Sequence, residues 1–384
     1  MSTEKGTVSE RPQLAAYYFP QYHPDARNAK WHGKKWTEWE LIRRAEPRFP
    51  GHPQPKVPLW GYEDESDPSV MAKKIATAAD HGIDVFLFDW YWYEDGPFLE
   101  RCLEEGFLQA ATAGRIKFAI MWANHDWSNA HPAPRHRPYQ LLAAGKVSRK
   151  AFDEAAARVV ERYFGHPAYW RLGGGLYFSF YQVPTLIEGL GGVQETRKAL
   201  DDFRARVRAA GLGEIHFNAI QQSTPVDMRP EDFVAFDADI RSLGFDSVTA
   251  YIWHWKRLLA HFPVTEYAEV REKSIQDWDK YTARYSLPYF PNVTVGWDNT
   301  PRSVQSDEWE YVGGNFTPVV VNNPPQEFEK ALVAARDWLA KSPLKHKVLT
   351  VNAWNEWTEG NYLEPDRETG LARLEAIRRV FGTA

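Results

Sequence analysis

Eight short runs of this 384-residue sequence are rich in β-formers, and stretches of helical period separate them. Most of the runs are apolar throughout instead of alternating, which is typical of strands buried on both faces of a parallel sheet. They predict strands at Leu14–Phe19, Ile83–Tyr91, Ile116–Ala123, Leu176–Tyr181, Ile215–Ile220, Asp246–Tyr251, Asn292–Trp297 and Val348–Ala353.

Helical patterns fill the gaps between these strands, and a glycine follows several of them as a C-terminal stop. The predicted helices are Pro68–His81, Pro97–Ala113, Lys150–Phe164, Val193–Ala210, Thr265–Tyr285, Pro325–Lys341 and Arg367–Phe381. Eight strands alternating with helices predict a closed (β/α)8 TIM barrel. A doubly wound open sheet is the alternative, but the segment after the first strand, FPQYHPDARNAKW, lacks the glycine-rich loop usual in such sheets.

The chain is predicted to be a disordered tail at residues 1–12 followed by one catalytic barrel domain at 13–384. Two long inserts, 20–67 and 124–148, follow the first and third strands. Loops that follow barrel strands lie at the C-terminal face, where TIM-barrel active sites are built. Long inserts at these places therefore indicate a functional site on that face.

Charge and composition exclude several classes of partner. The net charge is −5 and basic residues form no dense run, so no nucleic-acid partner is expected. No stretch approaches 18 apolar residues, so no membrane span is predicted. The N-terminus has no apolar signal region, which predicts a cytoplasmic protein, or a secreted one if a signal was removed. One cysteine, Cys102, permits neither an internal disulfide nor a thiolate metal cluster.

Trp and Tyr are abundant, with 17 and 18 copies, and they cluster with polar residues at the strand ends. Aromatic faces combined with hydrogen-bonding groups suit sugar rings, although a large aromatic core is the alternative explanation. In a barrel these ends converge on one rim. The strand ends offer these candidate sugar-binding residues: His23, Asp89, Trp90, Asn124, His125, Tyr251, Trp253, Asn355 and Trp357.

Glu356 and Glu359 are the best candidate catalytic carboxyl groups. They follow the last predicted strand, three residues apart, and Trp354 and Trp357 flank them. Glycoside cleavage needs two carboxyl groups of different pKa, and a neighbouring indole raises a carboxyl pKa by desolvation. An N-terminal capping box is the alternative. Glu364 is a weaker candidate. Asp89 and Asp298 could bind hydroxyls or stabilise the barrel interior.

A metal site is the other chemistry that the rim loops suggest, because they hold several histidines. These are His23, His32, His125, His131 and His136. No HExxH spacing occurs and no thiolate is nearby, so neither a metal nor another cofactor is predicted. The sequence also lacks GxSxG, P-loop and GxGxxG motifs.

Five segments in order resemble glycoside hydrolase family 99-like proteins, a group that includes WbsX-type proteins labelled glycosyltransferases. The segments are AYYFPQYHP at 16–24, KWTEW at 35–39, GIDVFLFDWYW at 82–92, MWANHDW at 121–127 and NAWNEWTEGNYLEPD at 352–366. The resemblance spans residues 14–381. It implies a (β/α)8 barrel and retaining, endo-acting cleavage of α-mannosides.

The resemblance also implies roles for individual residues. Glu356 would be the general base, removing the proton of the sugar's own 2-hydroxyl, which attacks C1 to give a 1,2-anhydro sugar. Glu359 would be the general acid. The segment VGWDNTPR resembles a family region near the substrate. The resemblance thus adds these binding candidates: Tyr17, Tyr22, Trp36, Trp122, Trp297, Asp298 and Arg302.

One departure concerns His125, which stands where relatives often have Glu and leaves the identity of the sugar open. Three functions therefore stay open. The first is a retaining glycoside hydrolase acting on a mannoside-like oligosaccharide or polysaccharide. The second is a transglycosylase of polysaccharide assembly. The third is a non-catalytic sugar-binding barrel.

Overall fold

The computed structural model describes residues 11–221 and 229–382, so most of the predicted tail, residues 1–10, lies outside the described residues. A parallel barrel forms the centre. Its strands are β1 Gln13–Tyr18, β2 Val85–Tyr93, β3 Lys117–Trp122, β4 Gly175–Phe180, β5 Ile215–Gln221, β6 Ser247–Ala250, β7 in two segments, Tyr289–Phe290 and Asn292–Thr294, and β8 Val348–Asn352. All eight coincide with predicted strands, with ends that differ by one or more residues.

The strands pair in chain order, and β1 lies beside β8. In β1, Ala15 is in register with Val85 of β2 and with Thr350 of β8. Pro291 interrupts β7, since proline has no N–H for a ladder bond. The segment before Pro291 pairs with β6, and the segment after it pairs with β8. The sheet thereby closes, which confirms the predicted TIM barrel.

Helices surround the barrel and cover its outward apolar side chains. They are α1 Ala26–His32, α2 Trp39–Arg44, α3 Pro68–Asp80, α4 Arg149–Val159, α5 Val183–Leu190, α6 Val193–Ala209, α7 Pro230–Ser242, α8 Trp255–Leu258, α9 Tyr267–Arg284, α10 Pro325–Lys341 and α11 Ala372–Phe381. Among the described residues, no helix has the length and apolarity needed to cross a bilayer.

The helix predicted at Pro97–Ala113 is wrong in detail. The structure has a short strand, Gly96–Phe98, then a π-helix, Cys102–Phe107, and a 3-10 turn, Ala113–Arg115. Gly106 explains part of this: a Cβ there would lie 2.1 Å from the Glu65 carbonyl oxygen. The backbone at Gly106 therefore lies in close contact with the loop that follows β1, and the helical turn there is the wider π type.

The helix predicted at Arg367–Phe381 begins later, at Ala372. The preceding residues form a turn in which the Asp366 carboxylate accepts hydrogen bonds from the backbone N–H groups of Glu368 and Thr369. The insert after β1 contains two short helices, α1 and α2, which its weak helical period did not indicate. The insert after β3 contains a two-stranded pair, Trp127–Ser128 with Leu141–Ala143.

Candidate active site

A cleft of about 450 Å³ opens at the C-terminal end of the barrel strands. We call it the rim cleft. Side chains from the segments that follow β1, β3, β4, β6, β7 and β8 line it, together with the end of β2. The lining residues are Phe19, Asp89, Tyr91, Met121, Ala123, His125, Asp126, Trp127, Ser128, His131, Lys146, Tyr181, Gln182, Thr185, Tyr251, Arg302, Glu356 and Glu359.

The segment after β8 brings Glu356 and Glu359 to the cleft together. Asn355–Glu356 pairs with Asn361–Tyr362, and Trp357–Glu359 between them makes one 3-10 turn. Residues three apart on such a turn lie on the same side. Gly360 closes the turn in the left-handed region, at φ +60°, and a Cβ there would lie 2.6 Å from Asp298 Cβ. Only glycine fits this position without displacement.

Arg302 joins the two glutamates. Its Nη2 donates to Glu356 Oε2 at 3.0 Å, and its Nη1 donates to Glu359 Oε1. Nε donates to Thr358 Oγ1 at 2.8 Å. The guanidinium lies over the ring of Phe19, 5.5 Å from its centroid. Three fixed donor directions on one planar group hold both carboxyl groups in a defined relation.

Glu38, from the insert after β1, contacts Thr358 and Arg302, the residues that hold the two glutamates. It is fully buried and accepts a hydrogen bond of 2.6 Å from Thr358 Oγ1. Its other carboxyl oxygen lies 3.2 Å from His131 Nε2. Its Oε2 also lies 3.5 Å from Arg302 Nη2. Glu38 is a residue that sequence reasoning missed.

Tyr251 links Glu356 to a second carboxyl group. Its hydroxyl oxygen lies 2.7 Å from Asp89 Oδ2 and 3.0 Å from Glu356 Oε1. Asp89 and Glu356 are each 3% exposed. The other Asp89 oxygen, Oδ1, is buried and has no hydrogen-bond partner within residues 11–221 and 229–382.

Carboxyl groups exceed cations at the base of the cleft: Glu38, Asp89 and Glu356 are buried, and the Glu359 side chain is 14% exposed. Burial raises the pKa of Glu356 and Asp89 well above the usual range, and it also raises the pKa of Glu38 and Glu359. Arg302 lowers the pKa of each, but less than burial raises it. A raised pKa favours the protonated form of a carboxyl group, and general acid catalysis uses that form.

A buried charge cluster contacts the segment that follows β8. Lys74 of α3 lies 2.6 Å from Glu65 Oε1 and 2.5 Å from Glu364 Oε1. Glu65 accepts from Asn355 Nδ2 at 3.1 Å, and Glu364 accepts from Trp357 Nε1 at 2.7 Å. Glu364, the weaker catalytic candidate, thus serves to orient Trp357.

Of the predicted site residues, six line the rim cleft: Glu356, Glu359, Asp89, His125, Tyr251 and Arg302. His125 Nδ1 lies 2.9 Å from the Asp126 carbonyl oxygen, and burial lowers its pKa. The other predicted residues lie outside the cleft.

Strand alternation explains why Trp90 and Trp122 lie outside. Asp89 and Tyr91 point into the barrel, so Trp90 points outward, where its Nε1 donates to Glu100 at 3.1 Å. Trp122 is likewise outward, donating to the Trp92 carbonyl and stacking on Phe152. Successive side chains of a strand face opposite sides, so a run of aromatic residues divides between cleft and outer layer.

Several predicted binding residues instead form hydrogen bonds that join segments at the ends of the barrel strands. Asn124 exchanges two hydrogen bonds with the backbone of Gln182, and Asn355 does the same with Phe19. Tyr22 stacks on Trp39, and its hydroxyl accepts from the backbone N–H of Trp357. The Trp357 indole faces away from the cleft and stacks on Tyr362.

Asp298 is also structural. It accepts hydrogen bonds from His52, Gln54 and Thr300. Burial alone would raise its pKa, but these bonds hold it below the usual range, so it stays ionised. The neighbouring Trp297 indole donates to Thr317 Oγ1 outside the cleft.

The remaining predicted residues lie in three further places. Tyr17 packs against Tyr251 inside the barrel, with its hydroxyl on the Ala250 carbonyl. Trp253 donates to the Asn292 carbonyl. Trp36 stacks on His32 in the insert after β1. His23 is fully buried with neither ring nitrogen bonded to a described residue, and burial lowers its pKa to about 4.

His131, named above only for the metal alternative, also lines the cleft. Sequence reasoning missed several other lining residues, among them Phe19, Tyr91, Trp127, Lys146, Tyr181, Gln182 and Thr185. Strand alternation could have found Tyr91, two residues beyond Asp89. Trp127 and His131 stack with their centroids 5.1 Å apart, and both lie in the predicted rim insert. Gln182 and Thr185 carried no signal. Within the described ranges, no three His, Cys, Asp or Glu side chains are grouped to hold a metal ion.

Comparison with known protein families shows the family to which this chain belongs. The sequence profile of the family described as Glycosyltransferase WbsX matches residues 14–377. This chain belongs to the WbsX family. The match confirms the resemblance that the five motifs indicated. A curated relative, the uncharacterized protein WxcX of Xanthomonas campestris pv. campestris, is 30% identical over 381 residues. This alignment covers 97% of the WbsX-family chain, which spans about half the length of the curated relatives that it matches.

Solved structures share the fold of this WbsX-family protein. A glycoside hydrolase-like protein has a TM-score of 0.62 at 14% identity, with 100% of this chain and 98% of that chain covered. The GH99 endo-alpha-mannosidase from Bacteroides thetaiotaomicron has a TM-score of 0.57 at 16% identity, with 96% of each chain covered. The fold is thus a TIM barrel of the glycosidase type.

Proposed function

We propose that this WbsX-family chain is a retaining glycoside hydrolase that cleaves α-linked, mannoside-like glycans. The observation that carries the proposal is the placement of Glu356 and Glu359 on one side of the rim cleft, joined by Arg302. Two buried carboxyl groups beside one cavity are what glycoside cleavage requires. The glycosidase-type barrel supports it.

In the proposed reaction, Glu356 takes the proton of the sugar's 2-hydroxyl and O2 attacks C1. The bond from C1 to the leaving oxygen breaks, and Glu359 gives that oxygen its proton. Water then attacks C1, losing its proton to Glu359, while the C1–O2 bond breaks and O2 regains a proton from Glu356. The raised pKa of Glu359 favours a protonated acid near neutral pH. Burial also raises the pKa of Glu356, and Arg302 and Tyr251, both in contact with Glu356, oppose that rise and favour its ionised form as the base.

A second candidate function is glycosyl transfer, and the family description favours it. In that case an acceptor hydroxyl replaces water in the second step, with the same two glutamates. Gln182 and Thr185 line the rim cleft with polar side chains, against which an acceptor sugar would bind.

The test is hydrolysis of a panel of α-linked oligosaccharides and activated aryl α-glycosides. Glu356→Gln and Glu359→Gln should each lose roughly 10³-fold or more in kcat/KM. Glu368→Gln, a matched change at an exposed glutamate outside the cleft, should not change it. NMR of the first product should show retention, and 2-deoxy substrates should not react. Turnover unaffected by both cleft variants would refute the proposal, and transfer products with added acceptor would favour the second candidate.

A further inference from the structure

Tyr251 lies between two carboxyl groups, although its hydroxyl has only one proton to donate. The hydroxyl oxygen is 2.7 Å from Asp89 Oδ2 and 3.0 Å from Glu356 Oε1, and both are hydrogen-bond distances. An ionised carboxylate only accepts, so Tyr251 can satisfy one ionised partner. The second contact needs a proton on the other carboxyl group. Either Asp89 or Glu356 is therefore a carboxylic acid in this arrangement.

The cation nearby decides which of the two carries the proton. Arg302 Nη2 donates to Glu356 Oε2 at 3.0 Å. No Lys, Arg or His nitrogen lies within 4 Å of Asp89 in the part of the chain that the structure describes. An ionised Glu356 would have two donors, Arg302 and Tyr251, whereas an ionised Asp89 would have Tyr251 alone. A buried charge is stabilised by each donor, so the proton belongs on Asp89.

The other titratable groups around this contact agree with that assignment. Tyr17, Tyr91 and Tyr251 are phenols whose pKa burial raises, and they stay neutral. Burial lowers the pKa of His125 and His131, so they are neutral as well. Of the remaining groups, Arg302 contacts Glu38, Glu356 and Glu359 directly. On Asp89 the charges of Glu359 and Arg302 act in opposite directions, because Glu359 raises its pKa and Arg302 lowers it.

We propose that Asp89 is a positioning residue that stays protonated at neutral pH and donates to Tyr251, which directs the tyrosine proton onto Glu356. The order of donation runs from Asp89 Oδ2–H to Tyr251 Oη, and from Tyr251 Oη–H to Glu356 Oε1. It keeps Glu356 ionised as a base in a site crowded with carboxyl groups. The catalytic consequence rests on the proposed function, but the protonation state of Asp89 does not.

Asp89→Asn tests whether residue 89 donates the hydrogen bond to Tyr251, because an amide N–H donates as a carboxylic acid does. We expect Asp89→Asn to keep kcat/KM within about tenfold of wild type, with the acid limb of its pH profile unmoved. Asp89→Ala and Tyr251→Phe remove the donation to Glu356. They should lower kcat by roughly 10- to 100-fold and move the acid limb to higher pH. If Asp89→Asn is as damaging as Asp89→Ala, the proposal is overturned.

Infrared difference spectroscopy provides a readout that needs no substrate. At neutral pH the spectrum of wild type minus Asp89→Asn should contain the C=O stretch of a carboxylic acid. The spectrum of wild type minus Asp298→Asn, a buried but ionised control, should contain carboxylate bands instead. Carboxylate bands in the Asp89 spectrum would overturn the proposal. If no glycan is turned over, the proposed function fails, while the infrared result still decides the state of Asp89.

Discussion

Replacing Lys74 by Met should destabilise the protein through the two carboxyl groups that it leaves behind. Lys74 is buried and lies within ion-pair distance of both Glu65 and Glu364. Met has a similar volume, so the change removes charge without opening a large cavity. Breaking a buried pair from one side costs about 3–5 kcal/mol because the remaining charge is uncompensated. For a chain of 384 residues the unfolding entropy is about 0.8 kcal/mol per kelvin, so the melting temperature should fall by roughly 5 °C.

The pH dependence provides a sharper check than the melting temperature alone. Burial already raises the pKa of Glu65, and Lys74 opposes that rise. Without Lys74 the pKa rises further, so the folded state favours a protonated Glu65. A raised folded-state pKa contributes stability at low pH that is lost as the pH increases. The loss in Lys74→Met should therefore be smaller near about pH 5 than near about pH 8, as measured by chemical denaturation.

The double variant Lys74→Met/Glu65→Gln serves as the control for this reasoning. It removes the uncompensated charge of Glu65 and should recover part of the stability, with a weaker pH dependence. A single variant as stable as wild type, or a loss independent of pH, would refute the assignment of Lys74 as the cation that compensates Glu65 and Glu364.

Two other substitutions test the cleft. Gly360→Ala forces a Cβ to 2.6 Å from Asp298 Cβ at φ +60° and should cost about 1–3 kcal/mol and most of the activity. Gly114→Ala, with open space around it, should cost neither, and equal midpoints for the two variants would contradict the steric argument. Trp127→Ala removes a lining ring that stacks on His131 and should raise KM roughly tenfold. Trp60→Ala, a half-buried tryptophan away from the cleft, should leave KM unchanged, and a KM unmoved in both variants would remove Trp127 from the binding surface.

The barrel and the acidic pair could be predicted from sequence because both depend on local patterns. Continuous apolar runs specify strands buried on both faces, and the spacing of Glu356 and Glu359 places them on one side of a turn. The side on which an aromatic residue lies depends on strand register. Asp89 and Trp90 are neighbours in sequence, yet Asp89 lines the cleft and Trp90 bonds to Glu100 outside it.

Residues that contact the site from distant parts of the sequence could not be predicted, for a different reason. Glu38 comes to Thr358 from a position 320 residues away, and Lys74 comes to Glu364 from a helix on the outside of the barrel. No local period marks these residues as buried charges, because their sequence surroundings are ordinary helix and loop. Only the closed barrel places them together. The same holds for Asn124 and Asn355, whose polar side chains suggested sugar binding although they clamp strand ends.

The hydrogen bonds between Asn355 and Phe19 also bear on the order in which the barrel forms during synthesis. Asn355 bonds to the backbone of Phe19 across 336 residues, and Glu356 follows it directly. A nascent chain emerges from the ribosome N-terminus first, so β1 is made well before its partner strand β8. Until β8 arrives, the barrel has an open seam and the cleft has neither glutamate. Closure of the barrel and assembly of the two-glutamate site therefore arise in one event, the pairing of β8 with β1.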